Sequence, residues 1–404
     1  MKNKFLNIAC WLIAIVIFGI SCEKEPQYRE FNYPAAVPSG MSPTTGYPMT
    51  NVTIAGTNFD TLKGAVKIWF GSIQATNLVS VKGNEIVVQV PANAVSGKVS
   101  LQVWTTKVDS IGNYTVLAAP EITADYTNNA QPNIAFPGDT VYIKGKRFGT
   151  DVSKMQIKMS GTAVTDIPLV NDTIIKLVAP ASFSTGAVTL TMGGLTISGP
   201  TPIINPEAPG NLTPYFMANT GDTTKGGGFV IGSSMIANRW GTLAAPWVTN
   251  AAAKNKSGEG GWAREQWNAQ PGFLCLETWG NTPVTDGIIY QPTSMPLPAG
   301  NYTVSVKYYS EVQANSLVTL VVNSGGSGIP NTANLSSALA SVALANPSAV
   351  GTTAPNVTET KSLDFTLSSS QVVSIGFLAN LLWGNGSANP GCYIKVDWIK
   401  LVKN

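Results

Sequence analysis

The sequence predicts an all-β protein: two tandem β-sandwiches followed by a third, larger one. Three observations carry this. Glycine (39) and proline (26) are abundant beside runs of Thr, Val, Ser and Asn, which favours short strands joined by turns over helices. A pattern of apolar and turn residues recurs at an offset of 89 residues between positions 46 and 192, a domain-sized period rather than that of a solenoid. Beyond Pro206 the texture changes, and seven of the ten tryptophans fall in that second half.

At 404 residues the chain is long enough for two or three domains, each with its own core. Its 25 Lys+Arg stand against 22 Asp+Glu and charged residues are only 12%, so there is no basic face large enough for nucleic acid. The expected ligand is neutral or nearly so. There is no histidine, which excludes Ser/His/Asp and Cys/His triads and histidine-based zinc sites. Phosphate loops, CxxC pairs and a nucleophile elbow are absent as well.

Residues 1–21 read as an address. Lys2 and Lys4 form a positive region, Phe5 to Ile20 an apolar one, and "GISC" places Gly19 and Ser21 just before Cys22. The segment resembles a bacterial lipoprotein signal, which implies cleavage before Cys22 and a palmitate-type acyl anchor on that residue in the outer-membrane lipid. A tether, 22–34, follows, and its "EKEPQYREFNYP" resembles the acidic export signal of surface lipoproteins in Gram-negative outer membranes. That resemblance implies display at the cell surface. With Cys10 cleaved away and Cys22 acylated, Cys275 and Cys392 remain; they form either one disulfide or two buried thiols, a bridge requiring Cα atoms within about 7 Å.

The repeat aligns "GYPMTNVTIAGTNF" (46–59) with "AFPGDTVYIKGKRF" (135–148), and "VPANAVSGKVSLQV" (90–103) with "APASFSTGAVTLTM" (179–192). Inside each copy apolar residues alternate as half-buried strands require, for example Val52 and Ile54, Ile86, Val88 and Val90, then Val99, Leu101 and Val103. These motifs resemble the IPT/TIG family of immunoglobulin-like sandwiches over 35–118 and 119–206. The resemblance implies a spacer role. Gly56 and Gly145 are expected at positive φ, Phe59 and Phe148 to fill the sandwich end, and Trp69 and Trp104 to be strand side chains packed on neighbours.

The Pro/Gly/Asn-rich "INPEAPGNLTP" marks the boundary to a third domain, 207–404. "MPLPAGNYTVSVKYYS" followed by "YIKVDWIKLV" resembles galactose-binding-like jelly rolls, a fold common among carbohydrate-binding modules. Together, the acylation signal, tandem sandwiches and tryptophan-rich terminal domain resemble surface glycan-binding lipoproteins of starch-utilisation-like uptake systems. That resemblance implies a polysaccharide ligand, a TonB-dependent transporter complex as partner, and no chemistry.

A sugar ring packs its C–H face on an aromatic ring and needs donors and acceptors at its edges. Trp240, Trp247, Trp262, Trp267 and Trp383, with Arg264, Glu265 and Asn268, supply that composition. The stretch 238–270 reads as loops, where ligand contacts concentrate. Each ring could instead cap the core. Glu259, Glu265, Glu277, Asp286 and Glu311 could in principle supply a hydrolytic carboxylate pair. A protein-binding adhesin is the other rival. No cofactor is expected; Asp397 stands where some jelly rolls hold structural calcium, without a partner set in the sequence.

Overall fold

The computed structural model describes residues 33–129, 131–224, 226–265, 271–278, 282–311, 315–344, 358–383 and 391–404. Among them no helix is long and apolar enough to cross a membrane. Contacts divide the chain into two compact units, one through Ala118 and the other from Ala119 to Asn404 apart from Gly193–Leu195.

The first unit is a sandwich of a four-stranded and a five-stranded sheet. The alternation in the sequence becomes its core, with Val52, Ile54, Ile68, Ile86, Val88, Val99 and Leu101 fully buried. Phe59 closes the sandwich end as expected. Gly56 has a different reason from the one expected. Its φ is not positive; a Cβ there would collide with the Phe59 ring and with Val37 O on the neighbouring strand. The left-handed conformation falls instead on Asn58 (φ 63°), two residues on. Trp104 also departs from expectation. It lies in the turn between strands Gly97–Val103 and Thr106–Val116, at φ 52° and 37% exposed.

The second unit begins with a sandwich of two four-stranded sheets, containing strands Glu121–Thr127, Thr140–Lys146 and Ile174–Val178 in one and Met155–Met159 and Val188–Met192 in the other. Gly145 repeats the close approach, here against Glu121 O and the buried Phe148 ring, and Arg147 (φ 60°) takes the left-handed position.

The terminal domain is a larger sandwich. One sheet sets Trp240–Gly241, Gly261–Ala263, Phe273–Glu277, Tyr393–Lys403, Gly300–Glu311 and Glu359–Leu367 side by side in that order. The facing sheet runs Val248–Thr249, Val284–Pro292, Val373–Leu381, Leu317–Ser324, Ala340–Ala343. All of these pairings are antiparallel. Tyr302, Val304, Val306 and Tyr308 point into the core while Thr303, Ser305 and Lys307 point out, the period of two that a sheet with one wet face demands. Ile134 and Ile204 of the preceding sandwich belong to this same core, buried with Leu212, Phe216 and Leu401. Gln131 Nε2 fastens the joint by donating to Tyr215 O (2.6 Å) and Ser294 Oγ (3.1 Å).

The two cysteines are separate thiols, both buried. Strand register explains why no bridge forms. Cys275 stands opposite Lys395, whereas Cys392 is hydrogen-bonded to Thr278. That places the sulfurs three residues apart along the strands, roughly 10 Å at strand rise, and on opposite faces of the sheet. Burial pushes the Cys275 thiol up to about 12, so it stays protonated.

Candidate functional site

Strand alternation builds the site on the outer face of the seven-stranded sheet, whose short seventh strand, Gly210–Asn211, pairs with the end of Tyr393–Lys403. Phe273, Cys275 and Glu277 leave their strand on that face, while Leu274 and Leu276 enter the core. The last strand contributes Tyr393 and Lys395, and the Gly300–Glu311 strand Tyr309 and Glu311. Register then aligns them in two rows: Glu277, Tyr393 and Glu311 in one, Cys275, Lys395 and Tyr309 in the other. The Tyr309 and Tyr393 rings lie 5.4 Å apart, tilted by 41°. Lys395 Nζ sits 5.1 Å from the centroids of both Phe273 and Tyr393 and pairs with Glu265.

At the sheet edge a tight hairpin holds the fourth aromatic. Ile236 and Trp240 bridge each other across Ala237, Asn238 and Arg239, the first two at positive φ (48° and 57°). Ala237 has no side-chain advantage there, so the turn carries about 1–2 kcal/mol of strain. Arg264 clamps it: its Nε donates to Asn238 O (3.2 Å), its Nη2 to Asn238 Oδ1, and its backbone N–H to Arg239 O (3.0 Å). The hairpin delivers Trp240 Nε1 to Glu277 Oε2 (3.0 Å) and Arg239 Nη2 to both oxygens of the same carboxylate (3.3 and 3.2 Å). Arg239 and Lys256 stand 5.2 and 5.3 Å from the centre of the Trp240 ring. Between hairpin and last strand lies an open groove of about 390 Å³, lined chiefly by Arg239, Trp240, Glu265, Glu277, Tyr393 and Lys395.

Burial sets the charge states. It lowers the Lys256 ammonium below its ordinary range, against the opposing pull of Glu277. It raises the Tyr393 phenol, which therefore remains a neutral hydroxyl able to donate. Cation and carboxylate alternate through the groove, so it offers polar edges without strong net charge.

The tryptophans expected as platforms divide. Trp240 and the exposed Trp383 remain at the surface. Trp383 follows Leu382, whose carbonyl accepts from Thr278 Oγ1 (2.6 Å) beside Glu277. Trp247 and Trp262 are corrections: each is only 5% exposed and belongs to the core. Their indole N–H groups point inward, Trp247 to Asn219 O and Trp262 to Phe229 O, both at 2.7 Å. Trp262 lies on a short strand rather than a loop, as does Trp240. The segment folds back as the sheet's edge, and its large rings seal the core there. Arg264 is a turn clamp and Glu265 a groove residue. Trp267, Asn268, Trp279 and Cys22 lie outside the described residues.

Tyr393, Tyr309 and Lys395 were missed as site residues. The signal was present in "CYIKVDWIKLV", where Tyr393 and Lys395 alternate with core Ile394 and Val396. Asp397 is paired with Lys307 (3.9 Å), and among the described residues no group of three or more metal-ligating side chains occurs.

Residues 36–118 and 126–203 match the IPT/TIG domain, and residues 225–376 match a domain of unknown function, DUF5013. A cyclomaltodextrin glucanotransferase from Paenibacillus macerans is 32% identical over 109 residues, 26% of this chain and 15% of that enzyme. The chain therefore spans a small part of that relative's length. Among solved structures, a surface glycan-binding protein from Prevotella bryantii is 12% identical with a TM-score of 0.23, over 92% of this chain and 100% of that one. A protein from a complex xyloglucan utilization locus in Bacteroides uniformis is 14% identical with a TM-score of 0.22, again over 92% and 100%.

Proposed function

We propose that this chain is a lipid-anchored cell-surface protein that captures a neutral polysaccharide without transforming it and passes it to an outer-membrane uptake complex. The observation that carries the reading is the register-aligned outer face, where Tyr393 and Trp240 line a groove edged by Arg239, Glu277, Lys395 and Glu265, and Tyr309 stands beside Tyr393. Aromatic rings suit the C–H faces of sugars, and the alternating charged groups suit their hydroxyls.

Binding without chemistry is supported by the state of the carboxylates. Glu277 is occupied by Arg239 and Trp240, and Glu265 by Lys395. Hydroxyls of Thr242 and Ser233 hold the Glu259 carboxyl below its ordinary range, and Thr332 does the same for Asp286. A glycosidic general acid needs the opposite shift.

Affinity electrophoresis of the full chain against a panel of polysaccharides tests the function. Retardation by at least one neutral polysaccharide, little changed by added salt, is expected. Unretarded migration throughout, or release of reducing sugar, would sink the reading. For the anchor, Cys22→Ala is expected to leave the protein unprocessed or in the soluble fraction. Detergent-dependent membrane association of a correctly processed variant would remove the lipid from the proposal.

A further inference from the structure

The turn that carries Trp104 was left over by the function. Trp104 is a bulky residue at φ 52°, a conformation that large side chains rarely adopt. Asn58 (φ 63°) and Asp60 (φ 70°) share the left-handed region in the adjoining turn. Val103 and Thr106 pair across a two-residue loop, a hairpin turn whose first position takes φ > 0, and the residue placed there is a tryptophan rather than the usual Asn or Gly. The indole is not loose: Nε1 donates to Asp60 Oδ2 (2.5 Å), and Asp60 is itself fixed by accepting from the backbone of Leu62 through Oδ1 (3.1 Å). Tyr33 stacks on the indole, 4.8 Å between centroids and 14° from parallel. Both rings nevertheless keep open surface, 45% for Tyr33 and 37% for Trp104. They border a pocket of about 120 Å³ whose edges are Pro34, Asn58, Asp60 and Val103.

We propose that this pocket on the first TIG domain is a second glycan subsite, taking a single neutral sugar ring against Trp104 and Tyr33 with Asn58 and Asp60 at its edge. The pocket is too small for a chain segment, so a single ring resting on its aromatic mouth is the ligand it suits. The expected spacer role of this domain is thereby extended to ligand contact. Two sites on one chain raise the affinity for a long polymer beyond either alone, because the second contact is intramolecular. The inference rests on the reading that the ligand is a glycan.

Trp104→Gly is the informative variant, since glycine adopts the required φ without strain and the ring is not part of the core. The full chain, this variant, a Tyr309→Ala/Tyr393→Ala groove variant and the triple variant are titrated with the polysaccharide that best retards the parent, by calorimetry, with thermal melts alongside. Trp104→Gly is expected to melt no lower than the parent and to bind about tenfold more weakly. The groove variant is expected to keep weak binding that the triple variant loses. Parental affinity in Trp104→Gly together with no residual binding in the groove variant overturns the subsite, as does the absence of binding in the parent. Intact binding in the groove variant that Trp104→Gly abolishes would sink the groove and leave the subsite standing.

Discussion

Trp262→Ala is expected to destabilise the terminal domain by about 3–5 kcal/mol. The ring is 5% exposed in the core, and Gly272 packs so closely against the indole that a Cβ there would overlap it. Its N–H satisfies Phe229 O at 2.7 Å in a buried bond. Truncation removes the apolar contacts, leaves a cavity and orphans that carbonyl. Trp262→Phe separates these terms: most of the volume returns, and the unpaired carbonyl alone costs about 1–3 kcal/mol. Urea unfolding of the full chain measures both. A loss below about 1 kcal/mol for the alanine variant, with weakened glycan binding, would return Trp262 to the site.

The second large effect is on affinity. Tyr393→Ala and Tyr309→Ala are each expected to weaken polysaccharide binding about tenfold to thirtyfold, the range of a stacking anchor worth about 1.4–2 kcal/mol. Melting is expected to fall only modestly, because both rings are half-buried on the outer face of the sheet and outside the apolar core. Calorimetry on folded variants decides. Parental affinity in the double variant would move the site off this face. Arg239 is a poor probe by comparison. Removing it takes the guanidinium from the Glu277 carboxylate, whose side chain is 6% exposed, and leaves it only the more distant Lys256. The cost then falls on folding as well as on binding.

The all-β architecture and the tandem repeat were legible because both rest on period-two alternation. Burial enforces that alternation: Val52 and Ile54, then Val99 and Leu101, all lie where the pattern put them. The site was less legible. A tryptophan among Gly, Asn and Arg reads alike whether it seals a core edge or faces solvent, and Trp262 and Trp247 did the first. Trp240 differs from them only through a hairpin held by Arg264, a contact between residues 26 apart in sequence. Tyr393 and Tyr309 looked like ordinary strand residues, and only the pairing of three strands distant in sequence makes them neighbours. Gly56 and Gly145 show the same limit. Their need for a missing side chain was readable, but its cause, an adjacent strand pressing in, was not.

The shared burial of Ile134 and Ile204 with Leu212 and Phe216 is expected to make the second TIG domain and the terminal domain unfold together. Ligand bound in the groove stabilises whatever must open for release, by about 2.7 kcal/mol at a hundredfold excess over Kd. That free energy therefore reaches amides of Thr140–Lys146 and Ile174–Val178, strands that line no part of the groove, and slows their hydrogen exchange. A fragment cut at residue 207 would wet the apolar face those isoleucines cover, so the smallest fragment that keeps the terminal domain's core intact begins near Ala119.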